Sequence, residues 1–205
     1  HKAIKSWLTK DKRHTKYCLK GDIKKCYESI KPDLVVLAFS RFIKDKKYLA
    51  LIYKIAHSHE SLPLGNYTSA WFENLILLEM DKLCHLNSSH YLRFVDDFIL
   101  LGTNKRKLRR MALTLQNLLA KQGLKLKANW QVFPVASRGI DMLGYRFWPD
   151  HILLRKRNAL HIEQAVRRWQ KHKTPHRARV VLSAAGGVKW FSSRNFYIKY
   201  FKGLN

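Results

Sequence analysis

The sequence predicts an α+β fold in which a split β-α-β-β-α-β antiparallel sheet with flanking helices precedes a small helical domain. Three observations lead to this prediction. Helical and strand-like patterns alternate over residues 1–155, a tight hairpin signal (YLRFVDDFILLG) spans residues 91–102, and the pattern from residue 156 onward is helical and basic. We therefore expect two domains, residues 1–155 and 156–205, with breaks in the second at Pro175 and at Gly186-Gly187.

The individual elements follow from apolar periodicity and from turn residues. Helices are expected over residues 2–9, 32–42, 46–57, 68–86 and 105–122, and strands over 17–23, around 124–127, 132–135, 143–148 and 152–154, and in the hairpin. Pro32 suits the first position of a helix, and Leu62-Pro63-Leu64-Gly65 interrupts the helical region. The split topology places the first strand beside the central hairpin.

Three aspartates should meet where the first strand ends beside the hairpin. Asp96 and Asp97 fall in the predicted turn, Asp22 ends the first strand, and the chain has only these and six other aspartates. Neighbouring carboxylates repel each other unless a cation or a proton relieves the repulsion, and Mg²⁺ prefers oxygen ligands of this kind. Aspartate is also a common turn former, so the adjacent pair alone has a plain structural interpretation.

The charge balance indicates the class of partner. Lysine and arginine total 40 against 14 acidic residues, and the sequence pI is about 10.3, which suits a phosphate backbone. The basic clusters at 105–110, 155–157 and 167–173 are either nucleic-acid contacts or solvated surface. Within them the candidate nucleic-acid-binding residues are Arg155, Lys156, Arg157, Arg167, Arg168, Lys171 and Lys173.

Other sequence features indicate the cellular environment of the protein. No uncharged apolar run of 18 residues occurs, so we expect no membrane partner. Cys18, Cys26 and Cys84 show neither a CxxC nor a zinc-type spacing, which favours a reducing, cytosolic environment. The first residue is histidine, and we expect the sequence to be part of a longer protein.

Five motifs, in order, resemble those of the reverse transcriptases. They are KGDIKKCYESI, LPLGNYTSAWFENLILLEMD, YLRFVDDFILLG, the helix and strand ending in GLKL, and GIDMLGYRF, which together cover roughly residues 17–150. The resemblance implies a polymerase palm with a basic helical thumb, and the fingers of the family lie largely outside this sequence. It also implies RNA-directed DNA polymerase activity, in which dNTPs extend a primer or cDNA strand along a template RNA.

The resemblance implies a role for several residues near the predicted acidic site. Asp22, Asp96 and Asp97 would be catalytic and, with the backbone carbonyl of Ile23, would hold two Mg²⁺ ions, for which Mn²⁺ is a possible substitute. Tyr27 matches the ring that excludes a 2′-hydroxyl, and its alternative role is packing between strand and helix.

Further roles concern the nucleotide, the primer and the leaving group. Leu64 and Gly65 match the nucleotide-binding motif, in which glycine lets the backbone approach the incoming nucleotide. Leu143, Gly144 and Tyr145 match the primer grip, although Leu143 could equally be a core residue. Lys125 and Lys127 are both candidates for the lysine that protonates pyrophosphate.

Within the family, the sequence most resembles the reverse transcriptases of diversity-generating retroelements. Leu64-Gly65-Asn66 and Thr68-Ser69 match that subfamily, as do residues 137–157, whereas Ala70 replaces its usual glutamine. This resemblance implies a bacterial or phage-encoded, error-prone enzyme with a small basic helical accessory protein as partner. The alternatives are a group II intron, retron or phage-defence reverse transcriptase and, from another class, a non-catalytic nucleic-acid-binding scaffold.

Overall fold

Helices and strands alternate in the computed structural model of the protein, which describes residues 1–63, 65–188, 192 and 194–201. In this part of the chain the helices are α1 (Lys2–Lys10), α2 (Cys26–Ser29), α3 (Pro32–Ser40), α4 (Lys46–Ala56), α5 (Tyr67–Ile76), α6 (Leu78–Asn87), α7 (Lys105–Lys121), α8 (Val135–Arg138), α9 (Lys156–Lys171), α10 (Pro175–Val188) and α11 (Arg194–Tyr200). The strands are β1 (Tyr17–Asp22), β2 (Tyr91–Phe94), β3 (Asp97–Gly102), β4 (Gln131–Pro134), β5 (Ile140–Met142), β6 (Tyr145–Phe147) and β7 (Ile152–Leu154).

The chain divides into two compact units. The first unit is Arg13–Phe133, and the second combines His1–Lys12 with the described residues from Pro134 onward. This division falls some twenty residues before the domain boundary expected from the sequence, because the short strands β5 to β7 group with the C-terminal helices.

A four-stranded sheet in the order β2-β3-β1-β4 forms the centre of the first unit. Strand β3 pairs antiparallel with β2 on one side and with β1 on the other. This order confirms the predicted split topology, in which the first strand lies beside the central hairpin.

Strand β3 is buried on both faces, which explains its uninterrupted apolar sequence. Phe98, Ile99, Leu100 and Leu101 are each at most 2% exposed. Helix α7 packs on β1 and β3 with an apolar stripe, and the core continues into α5 and α6. The stripe consists of Leu108, Met111, Ala112, Leu115 and Leu119. A central strand covered in this way has no solvent face and therefore no polar alternation.

Local capping sets where several helices begin. The Asp45 carboxylate accepts hydrogen bonds from the backbone N–H groups of Lys47 and Tyr48, at 2.7 and 3.2 Å, at the start of α4. The Asn104 side chain caps α7 in the same manner. Pro32 occupies the first turn of α3, as predicted.

Several sequence-based assignments differ from the structure. The single helix predicted over residues 68–86 is two helices, α5 and α6, that meet at Leu77; both bury apolar residues in one core, so the periodicity continues across the junction. The strand predicted around 124–127 is reduced to one isolated bridge between Ile23 and Leu126. Helix α10 continues through Gly186-Gly187 to Val188, since glycine weakens a helix without ending it.

The second unit contains a three-stranded antiparallel sheet, β5-β6-β7, and the C-terminal helices. Helices α9 and α10 pack together around Ile162, Val166 and Val181, with Phe201 in the same cluster. The strand predicted over 143–148 is a hairpin instead, because Leu143 and Gly144 form a turn between β5 and β6.

The three cysteines are buried thiols. Cys18, Cys26 and Cys84 are each at most 3% exposed, and no disulfide joins them. Burial raises the pKa of Cys84 to about 12 and also raises the pKa of Cys26 above its ordinary value. Among the helices of the described residues, none has the length and apolar character needed to cross a membrane.

The close contact between Gly21 and Phe98 generates a prediction about stability. A Cβ at Gly21 would lie 2.6 Å from the Phe98 ring, which is fully buried and cannot retreat. We expect Gly21→Ala to lower the free energy of unfolding by about 1–3 kcal/mol, measured by urea denaturation. Gly186→Ala is the matched control, since a Cβ there meets nothing within 4 Å and a helical alanine should be neutral or stabilising. Equal effects of the two substitutions would contradict the packing explanation.

Candidate active site

Two aspartates face each other where β1 and β3 meet. The register of the two strands pairs Asp22 with Asp97, and the backbone N–H of Ile23 donates to the carbonyl of Asp96 at 3.1 Å. Val95 and Asp96 form the turn between β2 and β3. The backbone thus brings together the three aspartates that the sequence predicted as neighbours.

Two lysines compensate the negative charge of this cluster. The Lys127 ammonium lies 2.7 Å from Oδ1 of Asp22, and the Lys20 ammonium donates to Oδ2 of Asp97 at 3.1 Å. The hydrogen bond to Asp22 raises the pKa of Lys127, and the negative charges of Asp96 and Asp97 act in the same direction. Of the two candidate lysines after Gly123, Lys127 is therefore the one whose ammonium contacts the acidic cluster.

The carboxylates supply the chemistry of a hard-metal site, although their side chains are not gathered around one point. Within the described residues, no group of three His, Cys, Asp or Glu side chains is arranged to hold a metal ion. Two of the carboxylates are paired with lysines, Asp22 with Lys127 and Asp97 with Lys20. Carboxylate oxygens are nevertheless the ligands that Mg²⁺ prefers, so the donor set fits a divalent cation.

Arg93 fixes the turn that carries Asp96. Its guanidinium donates two hydrogen bonds to the Asp81 carboxylate, at 2.6 and 2.8 Å. It also donates to the carbonyl of Val95 at 3.0 Å and to Oδ1 of Asn74 at 3.1 Å. Only 8% of the Arg93 side chain is exposed. One buried cation therefore ties the turn to α5 and α6.

The turn needs such support because its backbone is strained. Val95 adopts a positive φ of 58°, which is unfavourable for a β-branched residue. Conformations of this kind cost about 1–3 kcal/mol and persist only where surrounding contacts enforce them. The donor from Arg93 is one such contact, and the pairing of Ile23 with Asp96 is another.

Tyr27 belongs to a small polar cluster beside the turn. Burial and the neighbouring Glu73 carboxylate raise the pKa of Tyr27 to about 12, and the Cys26 thiol donates to Oε1 of that carboxylate at 3.6 Å. Glu73 is 1% exposed, and burial raises the pKa of its carboxyl group. Tyr27 and Glu73 line a cavity of about 490 Å³ together with Asn74, Asp81, Arg93 and Val95.

The predicted nucleotide-binding motif is described in part. Leu64 lies outside the described residues. Gly65 has a φ of 92°, which glycine adopts without steric cost, and open space surrounds its Cα where a Cβ would project. Nearby, the buried Ser69 hydroxyl donates to the carbonyl of Pro63 at 2.8 Å and fixes the entry to α5.

The three residues of the predicted primer grip lie at the β5–β6 hairpin of the second unit. Leu143 and Gly144 form its turn with positive φ angles of 53° and 85°, so Leu143 is a half-buried turn residue and not part of a strand. Tyr145 is buried, and its hydroxyl donates to the carbonyl of Gly187 at 3.0 Å. The turn is further held by the backbone N–H of Arg155, which donates to the carbonyl of Gly144 at 3.0 Å.

The predicted basic residues are mostly on the surface of the second unit. Lys156, Arg157, Arg167, Arg168, Lys171 and Lys173 are exposed, whereas Arg155 is half-buried. Two of the seven are engaged with carboxylates: Arg155 bonds to Asp141 and Arg167 to Glu163.

Sequence reasoning missed four residues of this site. Lys20 could have been found, since it precedes Asp22 by two positions and so shares its face of β1. The positions of Glu73, Asp81 and Arg93 could not be predicted in this way. Their side chains come close together only because α5 and α6 pack beside β2.

The sheet order and the acidic hairpin together define a polymerase palm-like fold. The model of the family "Reverse transcriptase (RNA-dependent DNA polymerase)" matches residues 2–147. Because this match covers well over half of the chain, the protein belongs to the reverse transcriptase family. A comparison with curated protein sequences finds no match.

Solved structures of telomerases share the fold. Apo telomerase from Candida tropicalis has a TM-score of 0.54 at 17% identity, over 71% of this chain and 33% of that chain. The same organism's telomerase in complex with a TWJ fragment of telomeric RNA has a TM-score of 0.56 at 14% identity, over 97% and 42%. The corresponding Candida albicans complex has a TM-score of 0.52 at 14% identity, over 78% and 37%. The chain thus spans less than half the length of these telomerases.

The buried fork between Arg93 and Asp81 generates a second prediction. We expect Arg93→Ala to lower the free energy of unfolding by about 2–4 kcal/mol in urea denaturation, because it leaves a largely buried carboxylate without its cation. Arg167→Ala is the control; it breaks an exposed pair with Glu163 and should cost less than about 1 kcal/mol. The role of the fork is refuted if the two variants lose the same stability.

Proposed function

We propose that the protein is an RNA-directed DNA polymerase that copies a template RNA into cDNA from dNTPs. The observation that carries this proposal is the strand register that pairs Asp22 with Asp97 beside the turn holding Asp96. Membership of the reverse transcriptase family supports the same chemistry. In the proposed organisation, residues 1–155 form the palm and 156–205 the basic thumb.

The three aspartates and the carbonyl of Ile23 would hold two divalent ions, Mg²⁺ by preference with Mn²⁺ as a substitute. Reverse transcriptases generally use divalent metal ions, which when bound supply activation of the primer 3′-hydroxyl and stabilisation of the leaving pyrophosphate. Lys20 pairs with Asp97 and Lys127 with Asp22, and these ammonium groups offset part of the repulsion between the carboxylates. Lys127 is the stronger candidate for protonating pyrophosphate, because its ammonium contacts Asp22 of the acidic cluster.

Other residues would bind the nucleotide and the primer. Tyr27 excludes the 2′-hydroxyl of a ribonucleotide by its volume, and Leu64 and Gly65 contact the incoming nucleotide. The turn formed by Leu143 and Gly144 would contact the primer end. The buried Tyr145 stabilises that turn through its hydrogen bond to the carbonyl of Gly187. The exposed cations of α9 bind the phosphates of the template and primer.

Nucleic acid is the expected partner on electrostatic grounds. The net charge of +26 favours a polyanion, and a telomerase with the same fold is known in complex with a fragment of telomeric RNA. We further propose that the protein is the error-prone enzyme of a diversity-generating retroelement and that a small basic helical protein assists it. Leu64-Gly65-Asn66 is the sequence feature that supports this subfamily.

The metal-site assignment predicts the behaviour of Asp96→Asn. The amide keeps the shape of the side chain but removes the charge on which binding of a hard cation depends, so primer extension on an RNA template with Mg²⁺ should be abolished. RNA binding by the variant, measured by filter retention, should remain close to that of the unmodified protein. Asp150→Asn, at an exposed acid of the second unit, should extend normally. Extension by Asp96→Asn would refute the assignment, and a wild type that binds RNA without extending would favour the scaffold alternative.

The subfamily assignment predicts the behaviour of Leu64→Gln. A glutamine before Gly65 can hydrogen-bond near the nascent base pair, whereas leucine cannot penalise a displaced base in this way. We expect misincorporation opposite template adenine to fall about tenfold to a hundredfold, measured by sequencing cDNA made on one adenine-rich template. Leu113→Gln, at an exposed leucine of α7, should leave the error rate unchanged. A wild type that is already accurate opposite adenine would remove the subfamily assignment and leave the polymerase assignment intact.

A further inference from the structure

Another cavity of the first unit lies at the end of the sheet opposite the acidic turn. The register of β1 on β3 pairs Tyr17 with Gly102 at one end and Asp22 with Asp97 at the other, so about 17 Å of strand separates the two ends. The cavity has a volume of about 410 Å³ and is lined by Gly102, where β3 ends. It is therefore separate from the site proposed for nucleotide addition.

The lining of this cavity combines basic side chains with hydroxyl and amide groups. Among the described residues that line it, none is acidic. The basic members are His14, Lys107 and Arg110, and the polar members include Asn87, Ser89 and Thr103. Lysine, arginine, hydroxyl and amide side chains are the groups that contact phosphate oxygens in complexes with nucleic acids. The lining is thus suited to an anion of this kind.

Hydrogen bonds fix the walls of the cavity. The Ser88 hydroxyl donates to the carbonyl of Leu101 at 2.7 Å, which ties the loop after α6 to β3. On the other side, the Asn104 side chain accepts from the backbone N–H groups of Arg106 and Lys107 at 2.8 and 3.2 Å. Because these N–H groups are already satisfied, ligand contacts have to come from the side chains that line the cavity.

The start of α7 carries an unfavourable concentration of positive charge. The sequence KRKLRR at 105–110 places five cations in the first two turns, and the first turn contains no acidic residue. Cations are disfavoured at this end of a helix by its dipole, and like charges three or four residues apart repel each other. Both effects destabilise the helix in the absence of a ligand, and a bound polyanion relieves both.

We propose that this cavity binds the phosphate backbone of RNA, at a segment of the RNA other than the one being copied. The inference rests on the proposed RNA partner, and it does not depend on polymerase chemistry. RNA is the occupant because, in the proposed function, the template is present before any cDNA is made. Lys107 and Arg110 contact the phosphates, and the hydroxyls of Ser89 and Thr103 bind phosphate oxygens or 2′-hydroxyls.

The inference is tested by measuring the Kd of the full-length protein for a fluorescently labelled single-stranded RNA, without dNTPs, over a range of salt concentrations. The RNA is long enough to reach from the acidic turn to the cavity. The test variant, Lys107→Gln/Arg110→Gln, removes the lysine and the arginine that line the cavity. We expect its Kd to rise about tenfold and the log–log salt slope to flatten by about 1.4, because each phosphate contact on a single strand contributes about 0.7.

Arg106→Gln/Arg109→Gln is the matched control. These two arginines are exposed and have the same three-residue spacing on the same helix, but they do not line the cavity. The control removes the same charge, so it measures the general attraction of a basic surface for RNA. We expect it to raise the Kd no more than about twofold. Equal effects of the two pairs, or no effect of either, would overturn the inference.

Ser89→Leu tests the cavity without removing a charge. Ser89 is exposed and lines the cavity, so the larger side chain narrows it and leaves the core intact. We expect the Kd for RNA to rise about threefold to tenfold, since one hydrogen bond is lost and access to the cations is reduced. A wild-type Kd in this variant would show that RNA does not enter the cavity, and the inference would be wrong.

Two other polyanions test the identity of the occupant. Single-stranded DNA of the same sequence and polyglutamate of the same charge are titrated against the wild type and Lys107→Gln/Arg110→Gln. We expect this variant to lose more affinity for RNA than for either, because only RNA offers phosphates together with 2′-hydroxyls. An equal or larger loss for polyglutamate would assign the cavity to an acidic protein, and one for DNA would assign it to cDNA. Either result would overturn the inference.

Failure of the inference and failure of the proposed function give different results. Extension by Asp96→Asn would refute the proposed chemistry and would leave the comparison of the two basic pairs unaffected. A wild type that binds no RNA would refute both. If the wild type binds RNA and the two pairs behave alike, only the inference is wrong.

Discussion

The antiparallel register of β1 on β3 is the constraint on which the proposed site depends. A shift by one residue would move Asp22 to the opposite face of the sheet and separate it from Asp97. Burial on both sides of β3 opposes such a shift, because its apolar residues fill the core under α7. The large apolar core thus enforces the position of a few charged atoms at its edge.

Electrostatic compensation at the site comes from elements far apart in the sequence. Lys20 precedes Asp22 on the same strand and Lys127 follows α7, whereas Arg93 is paired with Asp81 and donates directly to the carbonyl of Val95 in the hairpin turn. Each cation is bound in a way that suits its chemistry: the planar fork of arginine pairs with a carboxylate in a buried position, and the lysines meet theirs nearer to solvent. The acidic cluster is therefore compensated by cations from both sides of the hairpin in the sequence, Lys20 before it and Lys127 after it.

The sequence contained the topology and the identity of the acidic residues, because strand periodicity and turn chemistry are local signals. The break between α5 and α6 at Leu77 could not be predicted from the sequence. Both helices bury apolar residues in the same core, so the apolar periodicity continues across the break. The hairpin at Leu143 and Gly144 was hidden by the apolar character of its first turn residue. Glu73 and Arg93 were missed for another reason. Their burial depends on contacts between elements that are distant in the sequence, and such contacts cannot be predicted from one sequence.

The buried cysteines make the protein a convenient object for site-directed labelling. Thiol reagents attack the thiolate, and burial with a raised pKa keeps Cys26 and Cys84 from presenting one, while Cys18 is fully enclosed. A single cysteine introduced on exposed α9, for example by Gln170→Cys, would then be the reactive thiol without removal of any native one. A fluorophore or spin label at that position would report on how the basic helix approaches a nucleic acid in solution.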